Sequence, residues 1–242
     1  MKGKVALVTG ASSGIGRATA LAFAARGANV MVAARRETEL ATLRREIANL
    51  GTGAEFVVAD VSKASDVEQM VQATLKTFNR LDYAVNNAGI EGSLAPITDL
   101  SEDEWDRVLD TNLKGTFLCL RHEARAMLAC GNGGAIVNIG SVNSFLGGQT
   151  ASAYVVSKHG LIGLTTSVSA ELAPQGMGST SCVRASSTRR CTNGCEGLSV
   201  TICTTGICCR ESTSGAPANP KKLPTPSFSC VPTKPAISPA PH

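Results

Sequence analysis

Tyr154 and Lys158 stand four residues apart in "SAYVVSKHGLIGLTTSV", a spacing that puts a phenol and an amine on one helix face. Together they suit proton transfer. A free tyrosine has a pKa of roughly 10, too high for an efficient base near neutrality. An ammonium close by favours the phenolate and brings that value down. A phenol so tuned can take up a proton and return it. Taken alone, such a pair more often means a packed phenol beside a solvated amine, so its neighbours matter. Ser141 ends the apolar run "GAIVNIGS", at the kind of sheet edge where ligands bind. Asn112 sits inside a long helical stretch, where an amide has poor propensity and needs a reason.

A second group of residues suits phosphate. The first apolar run leads into "TGASSGIG", with Gly10, Gly14 and Gly16, and with Ser12, Ser13 and Ile15 between them. Loops use glycine for many reasons, but these open a helix directly after a strand. There unpaired N–H groups and the helix dipole favour a pyrophosphate. Gly10 permits a turn, Gly14 a close backbone approach, and Gly16 tight packing of helix on strand. The spacing departs from G-x-G-x-x-G. At the end of the second strand an acid would bind a ribose 2′-hydroxyl, whereas arginine accommodates a 2′-phosphate. This chain has "VAARRE", so Arg35 and Arg36 favour NADP, with Arg35 preferred as the clamp and NAD still possible. The alternative is that both arginines solvate a helix start.

The elements that must hold these groups are legible as alternating runs. "KVALVTG", "ANVMVAAR", "AEFVVAD", "LDYAVNNAG" and "GAIVNIGS" are short, rich in Val and Ala, and read as buried parallel strands. Between them "GIGRATALAFAARG" and "ETELATLRREIANLG" carry apolar faces and stop at glycine. "ASDVEQMVQATLKTF", "SEDEWDRVLDTNLKGTFLCLRHEARAML" and "AYVVSKHGLIGLTTSVSAEL" continue the pattern, and "SEDE" has the spacing of a capping box. Strict alternation predicts an α/β fold: a Rossmann-type doubly wound parallel sheet in three αβα layers, with its ligand site beyond the strands' carboxyl ends.

Bulk properties bound the function. The 242 residues suit one α/β domain able to bury a core without disulfides, and 43% hydrophobic residues is ordinary for a soluble protein. No apolar run reaches the length of a membrane span, and "MKGKVALVTGA" is not expected to be a signal peptide, so the expected address is cytoplasmic. A net charge of +4 suggests nucleic acid until its distribution is read: residues 1–177 hold 16 Lys and Arg against 17 Asp and Glu, and residues 178–242 hold 7 against 2. The body is near neutral. Neither a nucleic-acid nor a membrane partner is expected. Seven of nine cysteines and eight of ten prolines also lie beyond residue 177, which places a boundary there.

In order, "TGASSGIG", Asp60–Val61, "NNAG" at Asn86–Gly89, Asn112 in "TNLKG", Ser141 and "YVVSK" at Tyr154–Lys158 resemble the short-chain dehydrogenase/reductase family in its classical form. The resemblance covers residues 1–177 almost continuously. It implies an oxidoreductase that interconverts a small-molecule secondary alcohol and a carbonyl by hydride transfer, with Tyr154 as general acid and base. It implies that Lys158 tunes Tyr154 with the help of the positive nicotinamide ring, that Ser141 holds the substrate oxygen, and that Asn112 holds a water linking Lys158 to solvent. Asn87, Ala88 and Gly89 would floor the nicotinamide side, and Asp60 and Val61 would flank the adenine. The family also implies a homo-oligomer, dimer or tetramer, for the intact parent. One interface would use the helices carrying Asn112 and Tyr154, and another the last strand. Substrate choice would lie mainly in the loop after the sixth strand, with smaller contributions near Asn143 and "FLGGQT".

After "AELAPQG" the resemblance calls for a strand, a Pro-Gly turn and a substrate loop, which residues 178–242 do not spell. "GSTSCVRASSTRRCTNG" nevertheless admits codons whose reading from the third base gives "VNVVRPGIIDTPMHQR", which is that strand and turn. "RESTSGAPANPKKLPTPSFSCVPTKPAISPAPH" likewise admits a shifted reading that looks like the family's last helix and strand. The expectation is a frameshift, a one-base deletion or its equivalent near Met177, in the gene or in its sequencing. The tail would then be an aberrant Cys/Pro/Ser/Thr-rich segment, largely disordered, with the last strands lost. It lacks paired C-x-x-C spacing and its one histidine is terminal, so no metal site is expected. Two functions follow: an NADP-linked oxidoreductase, or a catalytically inactive dinucleotide-binding or misfolded chain. A regulatory scaffold is disfavoured, because it has no need of all four of Asn112, Ser141, Tyr154 and Lys158.

Overall fold

A computed structural model describes residues 1–131, 133–183 and 202–203. Six parallel strands appear in chain order: β1 (Val5–Thr9), β2 (Asn29–Ala34), β3 (Ala54–Val58), β4 (Tyr83–Asn86), β5 (Gly134–Ile139) and β6 (Met177–Val183). They lie side by side as β3-β2-β1-β4-β5-β6, and the order reverses between β1 and β4. That reversal leaves a crevice at the strands' carboxyl ends, where dinucleotides bind in sheets of this type.

The central strands β1 and β2 are covered on both faces, which explains why they read as nearly continuous apolar runs. Leu7, Met31, Ala84 and Ile136 face one side and pack with Met70 and Val71 of α3 (Ala64–Phe78) and Met127 of α5 (Gly115–Cys130). Val8, Val30, Val32 and Val85 face the other and pack with Ala20 of α1 (Gly14–Ala24) and Leu40, Leu43 and Ile47 of α2 (Glu37–Ala48). Alternate strand residues thus serve opposite cores. At the opposite end of the sheet from the crevice, Asp82 accepts from Lys4 Nζ (2.9 Å), from Arg80 Nε and Nη2 (2.7 and 2.6 Å) and from the Val5 amide (3.0 Å). Burial raises the Asp82 carboxyl, but these donors prevail and hold it at about 2.

Two features differ from the sequence reading. The stretch from Glu102 to Cys130 is not one uniform helix: α4 (Glu102–Leu109) passes through a π-helical turn, Asp110–Lys114, into α5. Ser101 Oγ does accept from the Glu104 amide (3.3 Å), but the Glu104 carboxylate serves Ser93 N and Arg107 rather than closing a box. The second difference is β6. It pairs with β5 from Gly134↔Met177 to Ile139↔Cys182, so parallel pairing continues past the compositional boundary at residue 177. Parallel pairing uses main-chain groups alone, so a polar strand delivered in register by α6 (Ser152–Leu172) still pairs. A short bridge at Ile202–Cys203 pairs antiparallel with Cys182 and Val183. The expected disorder of the tail, and the cysteines from Cys191 onward other than Cys203, lie outside the described residues.

Candidate active site

The crevice opens at the glycine loop between β1 and α1. Gly10 and Gly14 have positive φ (62° and 55°), a region that L side chains rarely adopt. A Cβ on Gly16 would lie 2.5 Å from both Asn87 Nδ2 and Gly10 O, so helix and strand close only over a bare glycine. Gly14, by contrast, has nothing within 4 Å of its would-be Cβ. Ser13 caps α1 without a side-chain hydrogen bond, so its hydroxyl does not serve the first-turn amides of α1. Thr9 anchors the facing loop: its Oγ1 accepts from the amides of Asn87 (3.1 Å) and Ala88 (3.2 Å).

Gly10, Ser12, Ser13, Ile15, Arg35, Arg36, Asp60, Val61, Asn87, Ala88 and Gly89 come together around one cleft of ≈ 390 Å³. The two arginines differ in what they reach. Arg36 Nη2 donates to Ser12 Oγ and Ser13 Oγ, both at 2.9 Å, and its Nη1 lies 3.4 Å from Glu39. Arg35 lines the same cleft near Asp60. Burial opposes ionisation of Asp60, yet the Ser62 hydroxyl and amide, with Arg35 and Lys63 beyond them, hold its carboxyl below the usual range. The fit to a dinucleotide is good. A glycine-containing loop at a helix N-terminus suits a pyrophosphate, and two guanidinium groups line the same cleft.

Ile15, Asn87, Gly89 and Ile90 also line an adjoining cleft of ≈ 400 Å³, so the two form one trough. The second cleft holds Ser141, Asn143, Tyr154 and Lys158. Ser141 caps the turn Val142–Ser144, where its Oγ accepts from Asn143 N (3.2 Å) and its own amide donates to Ser144 Oγ (3.1 Å). Tyr154 sits in the first turn of α6, and Lys158 Nζ lies 5.7 Å from its ring centroid. Lys158 is 6% exposed and donates from Nζ to the Ile139 carbonyl at 2.9 Å. Burial lowers its ammonium to about 8.

Asn112 stands behind this cleft, wholly buried in the π-helical turn. Its Oδ1 accepts from Ile90 N (2.8 Å), and its Nδ2 donates to Ile90 O (2.8 Å) and Ser157 Oγ (3.0 Å). Both amide hydrogens are therefore spent on protein, tying the loop after β4 to α6. π-turns of this kind occur often at functional sites. Sequence reading missed Thr9, Ser157 and the Ile139 carbonyl. Each lies within two residues of a residue already singled out, but only the fold shows what it holds.

A sequence model of the family described as short chain dehydrogenase matches residues 4–187. A short chain dehydrogenase/reductase of Aspergillus oryzae is 44% identical over 172 residues, covering 71% of this chain and 66% of the relative, just under two thirds of its length. Among solved structures, NAD+-bound xylitol dehydrogenase matches with a TM-score of 0.74 at 33% identity, over 76% of this chain and 72% of that one. A variant of actinorhodin polyketide ketoreductase with NADPH matches with a TM-score of 0.70 at 37% identity, over 74% and 68%.

Proposed function

Because the chain belongs to the short-chain dehydrogenase family, we propose that it is a nicotinamide-dinucleotide-dependent oxidoreductase that interconverts a secondary alcohol and a carbonyl. The observation that carries this reading is the buried Lys158. It is pinned to the Ile139 carbonyl and set beside the Tyr154 ring, in a cleft continuous with the glycine-lined cradle. A buried amine opposed by desolvation needs a reason, and supporting negative charge on a neighbouring phenol oxygen supplies one.

The dinucleotide supplies or accepts the hydride at its nicotinamide ring. Tyr154 gives a proton to the carbonyl oxygen in reduction and takes one from the alcohol in oxidation. Lys158, charged below about pH 8, stabilises the charge that develops on the Tyr154 oxygen. Ser141, its position fixed by the Val142–Ser144 turn, donates to the same substrate oxygen. Asn112 keeps the loop after β4 against α6, so that Gly89 and Lys158 hold their places. With both its amide hydrogens spent, Asn112 acts by positioning. NADP is favoured over NAD by the two arginines. Arg36, whose fork spans the loop hydroxyls, is the better candidate for the 2′-phosphate than Arg35. Consumption of NADPH in the presence of a panel of ketones tests the activity.

A second reading has its own support. The family model's match ends at residue 187, the match to the Aspergillus oryzae relative covers 66% of that relative, and composition changes after residue 177. The chain as encoded would then bind dinucleotide without turning over, and the frame-restored sequence would be the enzyme. NADPH fluorescence enhancement without turnover supports that reading. Resequencing the coding DNA across Met177 tests the frameshift itself: an independently confirmed, uninterrupted frame refutes it.

A further inference from the structure

Beneath the trough lies a buried polar chain that the reaction does not use. Glu123 of α5 is 0% exposed, as is Asn138 of β5, and Asn86 of β4 is 4% exposed. Asn86 Nδ2 donates to Glu123 Oε2 (2.9 Å) and to Asn138 Oδ1 (3.0 Å). Asn138 Nδ2 donates in turn to Thr165 Oγ1 of α6 (2.9 Å). Both hydrogens of the Asn86 amide are thereby used. Among the described residues, two acceptors of this cluster remain buried without a donor, Asn86 Oδ1 and Glu123 Oε1. One is the lone oxygen of the Asn86 amide and the other the second oxygen of the Glu123 carboxyl, and the two groups are already joined.

An orphaned buried acceptor is destabilising, and an unpaired buried carboxylate more so. One added proton removes both defects. We propose that Glu123 is a positioning residue that stands in the folded protein as a neutral carboxylic acid. It closes a two-bond ring with Asn86, in which Asn86 Nδ2 donates to Oε2 and the acid proton on Oε1 donates to Asn86 Oδ1. The surroundings agree. α5 presents Cys119, itself buried; β4 and β5 present the two amides, and α6 presents the Thr165 hydroxyl. The buried residues of α3 are Val67, Met70, Val71 and Thr74, none of which titrates. Among the described residues no cation pairs with Glu123. Burial pushes its carboxyl up to about 7, against the pull of the Asn86 amide.

The ring sits under both ends of the site. Asn86 is followed directly by Asn87, Ala88 and Gly89 of the first cleft, and Asn138 by Ile139, whose carbonyl holds Lys158. Ionising Glu123 would break the ring where β4 and β5 deliver these residues. That consequence for the site rests on the dinucleotide reading above; the protonation state itself does not.

The test is Glu123→Gln, since a glutamine amide reproduces both bonds of the acid without a proton to lose. A carboxyl raised by folding is stabilising only while it stays protonated. Stability of the parent should therefore fall as pH rises from about 4.5 to about 7 and then level off. E123Q should match the parent in Tm near pH 5 and exceed it by about 5 °C or more at pH 8.5. Infrared spectra of the parent in D2O at pH 6 should show a carboxylic-acid C=O band that E123Q lacks and that fades by pH 8.5. NADPH affinity should weaken several-fold more over that interval in the parent than in the variant. An E123Q protein that loses stability equally at pH 5 and pH 8.5 would overturn the proposal, as would a parent spectrum without the acid band. The spectrum decides the matter if the variant does not fold. A failure confined to NADPH binding would instead count against the dinucleotide reading.

Discussion

Replacing Lys158 by methionine should make the protein more stable at neutral pH while silencing it. Lys158 is 6% exposed, and burial lowers its ammonium from 10.5 to about 8. That difference corresponds to roughly 3 kcal/mol held against the folded state wherever the amine is charged. The folded value lies below the unfolded one, so the penalty is complete below about pH 8 and gone above about pH 10.5. Methionine has a similar length and no charge, but it leaves the Ile139 carbonyl without its 2.9 Å donor, at about 1 kcal/mol. The net gain near pH 7 is about 2 kcal/mol, or roughly 4–8 °C in Tm for a domain of this size. At pH 10.5 the gain should vanish and turn into a small loss. Thermal unfolding of K158M and parent, without nucleotide, at pH 7 and pH 10.5 measures both quantities. Turnover should fall by a factor of about 100 or more. A variant destabilised equally at the two pH values would show that the ammonium is not desolvated, and the account of why it is buried beside Tyr154 would fail.

Two further outcomes follow from other parts of the chain. Arg36→Ala should weaken NADPH binding about tenfold, with NADH affinity changed less than about twofold, as read by fluorescence titration. Equal losses for the two nucleotides would remove Arg36 from the 2′-phosphate. Asp82→Asn should lower stability by about 2 kcal/mol at pH 7, because a carboxyl held at about 2 stabilises the fold above its unfolded value of 3.8. The difference from the parent should shrink as pH falls from about 4 to about 2, as read by urea unfolding.

The strands β1 to β5 were legible because buried parallel strands are mostly apolar, and "VALVT" and "NVMVAA" are nearly so throughout. β6 was not legible, since "MGSTSCV" carries no such signal and its pairing with β5 rests on main-chain groups and on where α6 ends. The π-turn at Asp110–Lys114 left only an indirect trace, the poor helix propensity of Asn112. Tyr154, Lys158 and Ser141 were found from type and spacing, and they do line one cleft. The proposal of Arg36 in place of Arg35 rests on its reach to Ser12 and Ser13, which two adjacent arginines in the sequence do not reveal. Glu123, Asn86 and Asn138 were invisible as a group. They lie far apart in the chain, and a lone amide in a strand or acid in a helix reads as surface.

The most direct test is Tyr154→Phe, which deletes one oxygen and little else, made in the frame-restored chain and compared with its own parent. NADPH-dependent ketone reduction should fall by about a thousandfold, while NADPH affinity stays within about twofold. Reduction that continues undiminished would contradict the assignment of proton transfer to the Tyr154 oxygen.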